Sequence, residues 1–264
     1  MENDYFKLEA LSASGAKLLA RSPAHYKAAM EMQRTPTPAQ IFGTVVHAMI
    51  LEPHKSHASL FSVKELNWTT KEGKAEKERL ESIGLPIISA ADLDKALRMR
   101  DSVWAHSHAA ELLTGCRTEV EATWTGYEAK VKCKGGIDAI GASGIVDVKT
   151  TIDASPEAFA RAIRQYGYYM QAAHYIDGVA EIEGGIAPFT FIAVEKQPPY
   201  AVACYTLSND SLAAGWAAMN RIAKIYSDCI STGIWPGYEG KSVELSIPIN
   251  LDTAVVADLE LEDF

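Results

Sequence analysis

The pattern that most restricts this chain lies between Thr118 and Thr150. Thr118 to Thr125 and Ala129 to Ile140 each alternate polar and apolar side chains, and Gly126-Tyr127-Glu128 joins them. Alternation with a period of two marks a half-buried strand, and a short join containing glycine makes the pair a hairpin. Gly144-Ile145-Val146-Asp147-Val148 then predicts a third strand, rich in β-branched residues. On that strand Asp147 and Lys149 share one face while Val146 and Val148 share the other. Asp138 ends the strand before it, just after Gly135-Gly136, where a turn lets it approach its neighbour. A carboxylate and an ammonium side by side, joined by a second carboxylate, make a site for Mg²⁺ and phosphate. Hard divalent cations take oxygen ligands, and Mg²⁺ keeps waters for chemistry. By itself Asp–x–Lys is a common triplet whose bland meaning is a surface salt bridge.

The rest of the chain supplies covers for that sheet. Leu11 to Met32 reads as two short helices, with Ser12 or Ser14 as N-cap of the first and Ser22-Pro23 ending it and starting the second. Thr35-Pro36-Thr37-Pro38 reads as a stiff linker. Gln40 to Leu51 is an apolar helix ended by Glu52-Pro53, on which Gly43 and His47 share a face. A lone histidine on such a helix is most simply a satisfied core residue. Residues 54–68 read as loop. Residues 69–82 alternate in charge and read as a solvated helix, with contact to a polyanion as the alternative. Ala90 to Leu113 reads as one or two helices.

After the third strand, Ser155-Pro156 opens a helix, and Tyr166 to Val179 forms another on which Gln171 and Tyr175 can both face the sheet. Phe189 to Glu195 and Ala201 to Leu207 read as strands, and Ser211 to Thr232 as a long helix. The acidic end DLELEDF is expected to fray. This order predicts a mixed α/β fold with a central sheet of about five strands flanked by helices.

Composition narrows the class of function. At 264 residues, 48% of them hydrophobic, the chain can bury the core of one large domain or two small ones. No apolar run approaches the ~18 residues of a membrane span. The N-terminus MENDYFKLEA lacks a basic region followed by an apolar core, so no secretory signal is expected. Cys116, Cys133, Cys204 and Cys229 form no CxxC pair and read as reduced thiols of a cytoplasmic protein. A net charge of −9 argues mildly against a generic nucleic-acid binder. Carboxylates gathered at a metal site nevertheless serve phosphate chemistry, and basic residues can be concentrated on one channel wall.

Taken in order, GTVVHAMILEP, KCKGGIDAI, GIVDVKT and YGYYMQAAHYIDG resemble the RecE-type exonuclease family (exonuclease VIII), within the PD-(D/E)xK, RecB-like nuclease superfamily. LSASGAKLLARSPAHY and WTTKEGKAEKERL resemble segments of the same family, so the likeness runs from about Leu11 to Trp235. The resemblance implies the PD-(D/E)xK core and one RecE-like nuclease domain over 1–264. N-terminal helices would occupy 1–53, the catalytic core 115–232 and a tail 233–264. It implies that His47, Asp138, Asp147 and the backbone carbonyl of Val148 bind metal, with Glu119, preferred over Glu121 on the same strand face, as a further acidic ligand. Lys149 would position or help deprotonate the attacking water, its pKa lowered by two nearby cations. Gln171 would contact that water or DNA, and Tyr175 would pack or touch the DNA backbone.

In phage relatives of the family, a serine opening a helix helps bind the 5′ phosphate of DNA. Ser14, in Ser12-Ala13-Ser14, stands in that context at a helix N-terminus, which offers free N–H groups to an anion. Its bland reading is a plain N-cap. Arg21 and Arg34 are the candidates for a phosphate-binding arginine. The activity implied is a Mg²⁺-dependent 5′-to-3′ double-strand DNA exonuclease that leaves 3′ single-stranded tails for recombination by annealing. Two Mg²⁺ per site are implied, with Mn²⁺ as an acceptable substitute. The implied partners are linear duplex ends, a RecT-type single-strand annealing protein and further copies in a trimer or tetramer ring, with no membrane. The implied setting is the cytoplasm, encoded by a bacterium, phage or prophage. The alternatives are a sequence-specific endonuclease on the same core and a non-catalytic DNA-end binding module.

Overall fold

The computed structural model describes residues 5, 8–32, 36–55, 61–64, 69–84, 86–238 and 240–245. Three helices come first, α1 (Ala13–Arg21), α2 (Pro23–Glu31) and α3 (Pro38–Leu51). Ser12, not Ser14, caps α1, its Oγ accepting from the Gly15 N–H at 3.1 Å. Ser22 ends α1 and caps α2, with Pro23 in the first position where its missing N–H costs nothing. The Thr35–Pro38 stretch is not wholly linker. Pro38 is the first residue of α3, and Thr37 and Gln40 form a reciprocal capping box there.

Next come β1 (Ser62–Lys64), α4 (Lys71–Ile83), β2 (Ile87–Ser89), α5 (Ala90–Ala105) and α6 (Ser107–Leu113). β1 pairs with β2 in parallel, so the expected loop over 54–68 contains a strand, too short to leave a periodic signature. The main sheet has the order β3 (Arg117–Gly126), β4 (Val131–Gly141), β5 (Gly144–Thr151), β6 (Phe189–Glu195), β7 (Val202–Thr206). It is mixed, as expected: β5 and β6 run parallel and the other neighbours antiparallel. A parallel pair needs a crossover, and α7 (Pro156–Gln165) and α8 (Tyr168–Glu183) supply it. The second of these starts at Tyr168 rather than Tyr166 because Gly167, at φ +63°, breaks the chain direction between them. The long α9 (Asn209–Thr232) closes the order.

Both faces of the central strands β5 and β6 are buried. On one, Ile137, Ile145 and Phe191 pack with Leu19 of α1, Ile176 of α8 and Met219 of α9. On the other, Val146, Val148 and Ile192 pack with Val46 and Met49 of α3 and Met99 of α5. Each such fully buried side chain contributes roughly 1.5–3 kcal/mol. Two-sided burial explains why β5 and β6 read as continuous apolar runs rather than alternating ones. Trp235, at the start of the expected tail, stacks on Tyr26 at 5.4 Å, while the acidic end lies outside the described residues.

One irregularity positions the site. β4 pairs with β5 only from Ala139↔Val146 to Gly141↔Gly144, so the two strands part at Asp138 and Asp147. The β3–β4 ladder also skips Glu119 and Asp138, and Glu119 takes a φ of +50°. Ile137 belongs to one core and Ala139 to the other, although alternate residues of a regular strand share a face. The edge that β5 leaves open is taken by Leu11, which bridges to Cys133 and exchanges hydrogen bonds with Lys132 and Lys134. That bridge sets the start of α1 beside the gap. Across it lies α8, where Gly135 leaves room for the Tyr175 ring; an added Cβ would sit 2.9 Å from Tyr175 Cε1.

Candidate active site

Four elements converge where β4 and β5 part. His47, on α3, brings Nδ1 to 3.4 Å from Asp138 Oδ2. The same Oδ2 accepts the Val148 N–H at 2.8 Å, a donor that β4 no longer claims. Asp147 is fully buried. Its Oδ1 accepts from Gln171 Nε2 of α8 at 2.8 Å. Its Oδ2 lies 2.5 Å from Lys149 Nζ, close enough for charge attraction but outside hydrogen-bond geometry. Among the described residues this is the buried side-chain oxygen left without a hydrogen-bond partner. The Tyr168 ring lies beneath Lys149 Nζ at 4.8 Å, and Lys17 Nζ of α1 lies 5.1 Å from the same ring.

The charges of the site are strongly coupled. Burial pushes the Asp147 carboxyl up to about 6, with the Asp138 charge adding to it and Lys149 opposing. Burial also works upward on Asp138, but His47, Lys149 and the Val148 N–H outweigh it and hold that carboxyl below its ordinary range. Burial works downward on His47, and Asp138 reverses it, so the imidazole is raised. The sequence led to the expectation of a lowered Lys149 pKa beside two cations. Among the chain's own groups burial does lower it, but Asp147 and Asp138 prevail and raise it. The lysine beside Lys149 with a depressed pKa is Lys17, brought down to about 8 by burial and then by the Lys149 charge.

The remaining expected residues fall into two grooves. Glu119 stands across the strand from Asp138, and burial followed by the Asp138 charge raises its carboxyl. Glu119, Glu121, Ser14, Gln171 and the largely buried Tyr175 line one groove of about 750 Å³. Ser14 is exposed inside α1, its Oγ 3.1 Å from Ser12 Oγ. Arg21 lies in a second groove, where its Nε donates to Tyr238 Oη at 3.4 Å. Arg34 lies outside the described residues. Lys17 and Tyr168 were not singled out from sequence. The signal for Lys17 was its position three residues after Ser14 on the polar face of α1.

Among the described residues, no three His, Cys, Asp or Glu side chains stand together as a metal-holding group. Asp147 is engaged by Gln171 and Lys149, and Asp138 by His47 and the Val148 N–H. The donor types nevertheless suit a hard divalent cation: two carboxylates, one imidazole and strand carbonyls. The buried Asp147 Oδ2, faced by the Lys149 ammonium and without a hydrogen bond of good geometry, is the atom whose desolvation such a cation would further offset.

A family model described as a PDDEXK-like domain of unknown function (DUF3799) matches residues 12–245. A crystal structure of a candidate exonuclease from Eubacterium rectale is similar over 94% of each chain, with a TM-score of 0.61 and 18% identity, a likeness of fold. A phage-related exonuclease from Haemophilus somnus 129PT aligns over 86% of this chain and 98% of its own, with a TM-score of 0.37 and 13% identity. No curated protein matches the sequence. Among the described residues no helix is long and apolar enough to cross a membrane.

Proposed function

The chain belongs to the PDDEXK-like DUF3799 family, whose architecture supports a nuclease, and from that premise we propose a Mg²⁺-dependent 5′-to-3′ double-strand DNA exonuclease of the RecE type. Its product would be a 3′ single-stranded tail, passed to a RecT-type annealing protein. The observation that carries the reading is the buried Asp147, with Oδ2 free of hydrogen bonds and Lys149 and Gln171 at its sides.

Hydrolysis of a phosphodiester needs a water placed opposite the leaving 3′ oxygen and relief of the charge that grows on phosphorus. Asp138, Asp147, His47 and the Val148 carbonyl are the residues that would hold the metal, with Glu119 as an outer carboxylate. Two divalent ions, when bound, supply Lewis acidity to the attacking and leaving oxygens. The chain's own groups do the positioning. Gln171 fixes the Asp147 carboxylate through Oδ1, so that Oδ2 keeps one orientation. Lys149, held over the Tyr168 ring, offers its ammonium to the attacking water and to a phosphate oxygen. Tyr175 packs behind Gln171, one helical turn on. Ser14 and Arg21, on α1 but in different grooves, would take the 5′ phosphate and the backbone next to it. Assembly into a trimer or tetramer ring and a cytoplasmic setting in a bacterium or its phage belong to the same proposal. So does one nuclease domain over 1–264.

The test is digestion of linear duplex labelled at either end, with and without Mg²⁺ and with and without a 5′ phosphate. Wild type should release nucleotides from the 5′ end only with the metal, and leave closed circular duplex intact. Asp147→Ala should abolish release while unfolding cooperatively. Cleavage undiminished in that variant would remove the site assignment, and cutting of closed circles would make the enzyme an endonuclease.

A further inference from the structure

Beside Lys149 a second groove leads away from the Asp138–Asp147 gap. It holds about 850 Å³, and Lys17, Arg21, Arg164 and Lys196 stand in its wall with no aspartate or glutamate among them. In a chain of net charge −9 that separation of sign is a local feature. Among the described residues none of these four cations is engaged in an ion pair. Two helices and a strand end contribute them. Lys17 and Arg21 are one turn apart on α1, Arg164 lies in the last turn of α7, and Lys196 follows β6, its N–H donating to Thr151 O at 2.9 Å.

The groove is joined to the site. Thr150, Tyr168 and Lys196 also line a smaller depression of about 310 Å³ that contains Lys149 and Arg161. Tyr168 itself lies between the Lys149 and Lys17 ammonium groups. Tyr166 faces the groove and is 52% exposed, a large aromatic surface that the fold leaves uncovered. Unpaired, sign-matched cations along a trough are the footprint of a phosphate backbone. An exposed ring in their midst suits an unstacked base, because each base of a single strand offers a π-face that a duplex keeps inside its own stack.

We propose that this trough is a track for one polynucleotide strand, its phosphates on Arg21, Arg164 and Lys196 and a base stacked on Tyr166. The proposal deepens the nuclease reading and rests on it: a strand whose scissile phosphate sits at Lys149 would run along the trough. A single strand, rather than intact duplex, is the ligand it recognises.

The full chain is mixed with a fluorescent thymidine oligomer of about a dozen nucleotides, in chelator so that no cleavage occurs, and binding is read by anisotropy at several salt concentrations. A blunt hairpin duplex is the comparison ligand. Arg164→Ala with Lys196→Ala should weaken binding of the oligomer about tenfold at moderate salt. It should also lower the slope of log K against log salt by about 1.4, for two lost phosphate contacts. Tyr166→Ala should weaken it by a similar factor while leaving the slope unchanged, because stacking releases no counterions. Hairpin binding should move less than twofold. Arg164 and Tyr166 are exposed, and matched thermal unfolding midpoints confirm that the variants fold.

Unchanged affinity and slope for the oligomer would overturn the track, as would equal losses on hairpin and oligomer. Asp147→Ala separates this from the nuclease reading, since it should keep oligomer binding and lose cleavage. Normal cleavage in that variant removes the catalytic assignment and leaves the track standing. Lost cleavage there, with the trough variants binding as wild type, removes the track alone.

Discussion

Replacing Asp147 by Asn isolates one electrostatic cost in the site. The side chain is fully buried, and burial lifts its carboxyl from 3.8 to about 6. An acid with a higher pKa in the folded state keeps its proton at pH values where the unfolded chain has released it. The folded state then binds more protons, so this group's contribution to stability falls as pH rises from about 4 to about 6. The full cost is present above that range. The displacement is worth roughly 3 kcal/mol as an upper figure, because Lys149 and Asp138 share in the titration.

The wild-type curve by itself hides this cost, because His174 works in the opposite sense. Burial lowers that imidazole from 6.5 to about 4, so its contribution is present above the ordinary histidine range and is lost as pH falls toward 4. The difference between wild type and Asp147→Asn removes His174 from the comparison. Asn keeps the acceptor for Gln171 and the side-chain size but carries no charge. Lys149, whose pKa is raised, stays an ammonium from pH 4 to pH 7 in both proteins. Loss of its counter-charge therefore offsets the variant's curve by a constant and leaves the slope alone. Urea unfolding with chelator, at steps between pH 4 and pH 7, should show the variant gaining about 2–3 kcal/mol on wild type across that window. Millimolar Mg²⁺ should flatten the wild-type curve and leave the variant's unchanged. A difference independent of pH, or one that shrinks as pH rises, would refute the assignment of a raised Asp147 pKa.

Gln171→Ala should leave both Asp147 oxygens without a hydrogen bond, and the lost charge-assisted bond is worth about 1.5–3 kcal/mol. Nuclease turnover should drop at least tenfold, with the acid limb of its pH profile moved to higher pH; an unmoved limb would show that Gln171 does not hold the carboxylate. Gly178→Ala tests the seat of α8, because a Cβ there would lie 2.8 Å from Trp124 Cη2 and 2.9 Å from two more ring atoms. The Trp124 indole is buried and tied to Asp177 by a 2.9 Å hydrogen bond, so it cannot swing clear. A loss of about 1–3 kcal/mol is expected in chemical denaturation, and an unchanged midpoint would mean that α8 lifts from β3 without cost.

The strands were legible in the sequence wherever a local rule decided them. The β3–β4 hairpin follows from period-two alternation around a short turn, and the Asp147–Lys149 face follows from strand geometry alone. Helix starts followed from the same kind of rule, since Pro23 and Pro156 can only open a helix, not continue one. Where local chemistry offered two caps, the structure chose Ser12 over Ser14, and it corrected the linker reading at Pro38, which starts a helix. The parting of β4 from β5 at Asp138 was not legible, because a ladder ends where its partner turns away, and partners lie far apart in sequence. That parting frees the Val148 N–H for Asp138, admits Leu11 to the open edge and so carries Lys17 to the Tyr168 ring beside Lys149. Residue types and their spacing are written along the chain. Burial, and with it the charge state of Asp147 and the gathering of four cations in one trough, belongs to surfaces that exist only once distant segments have packed.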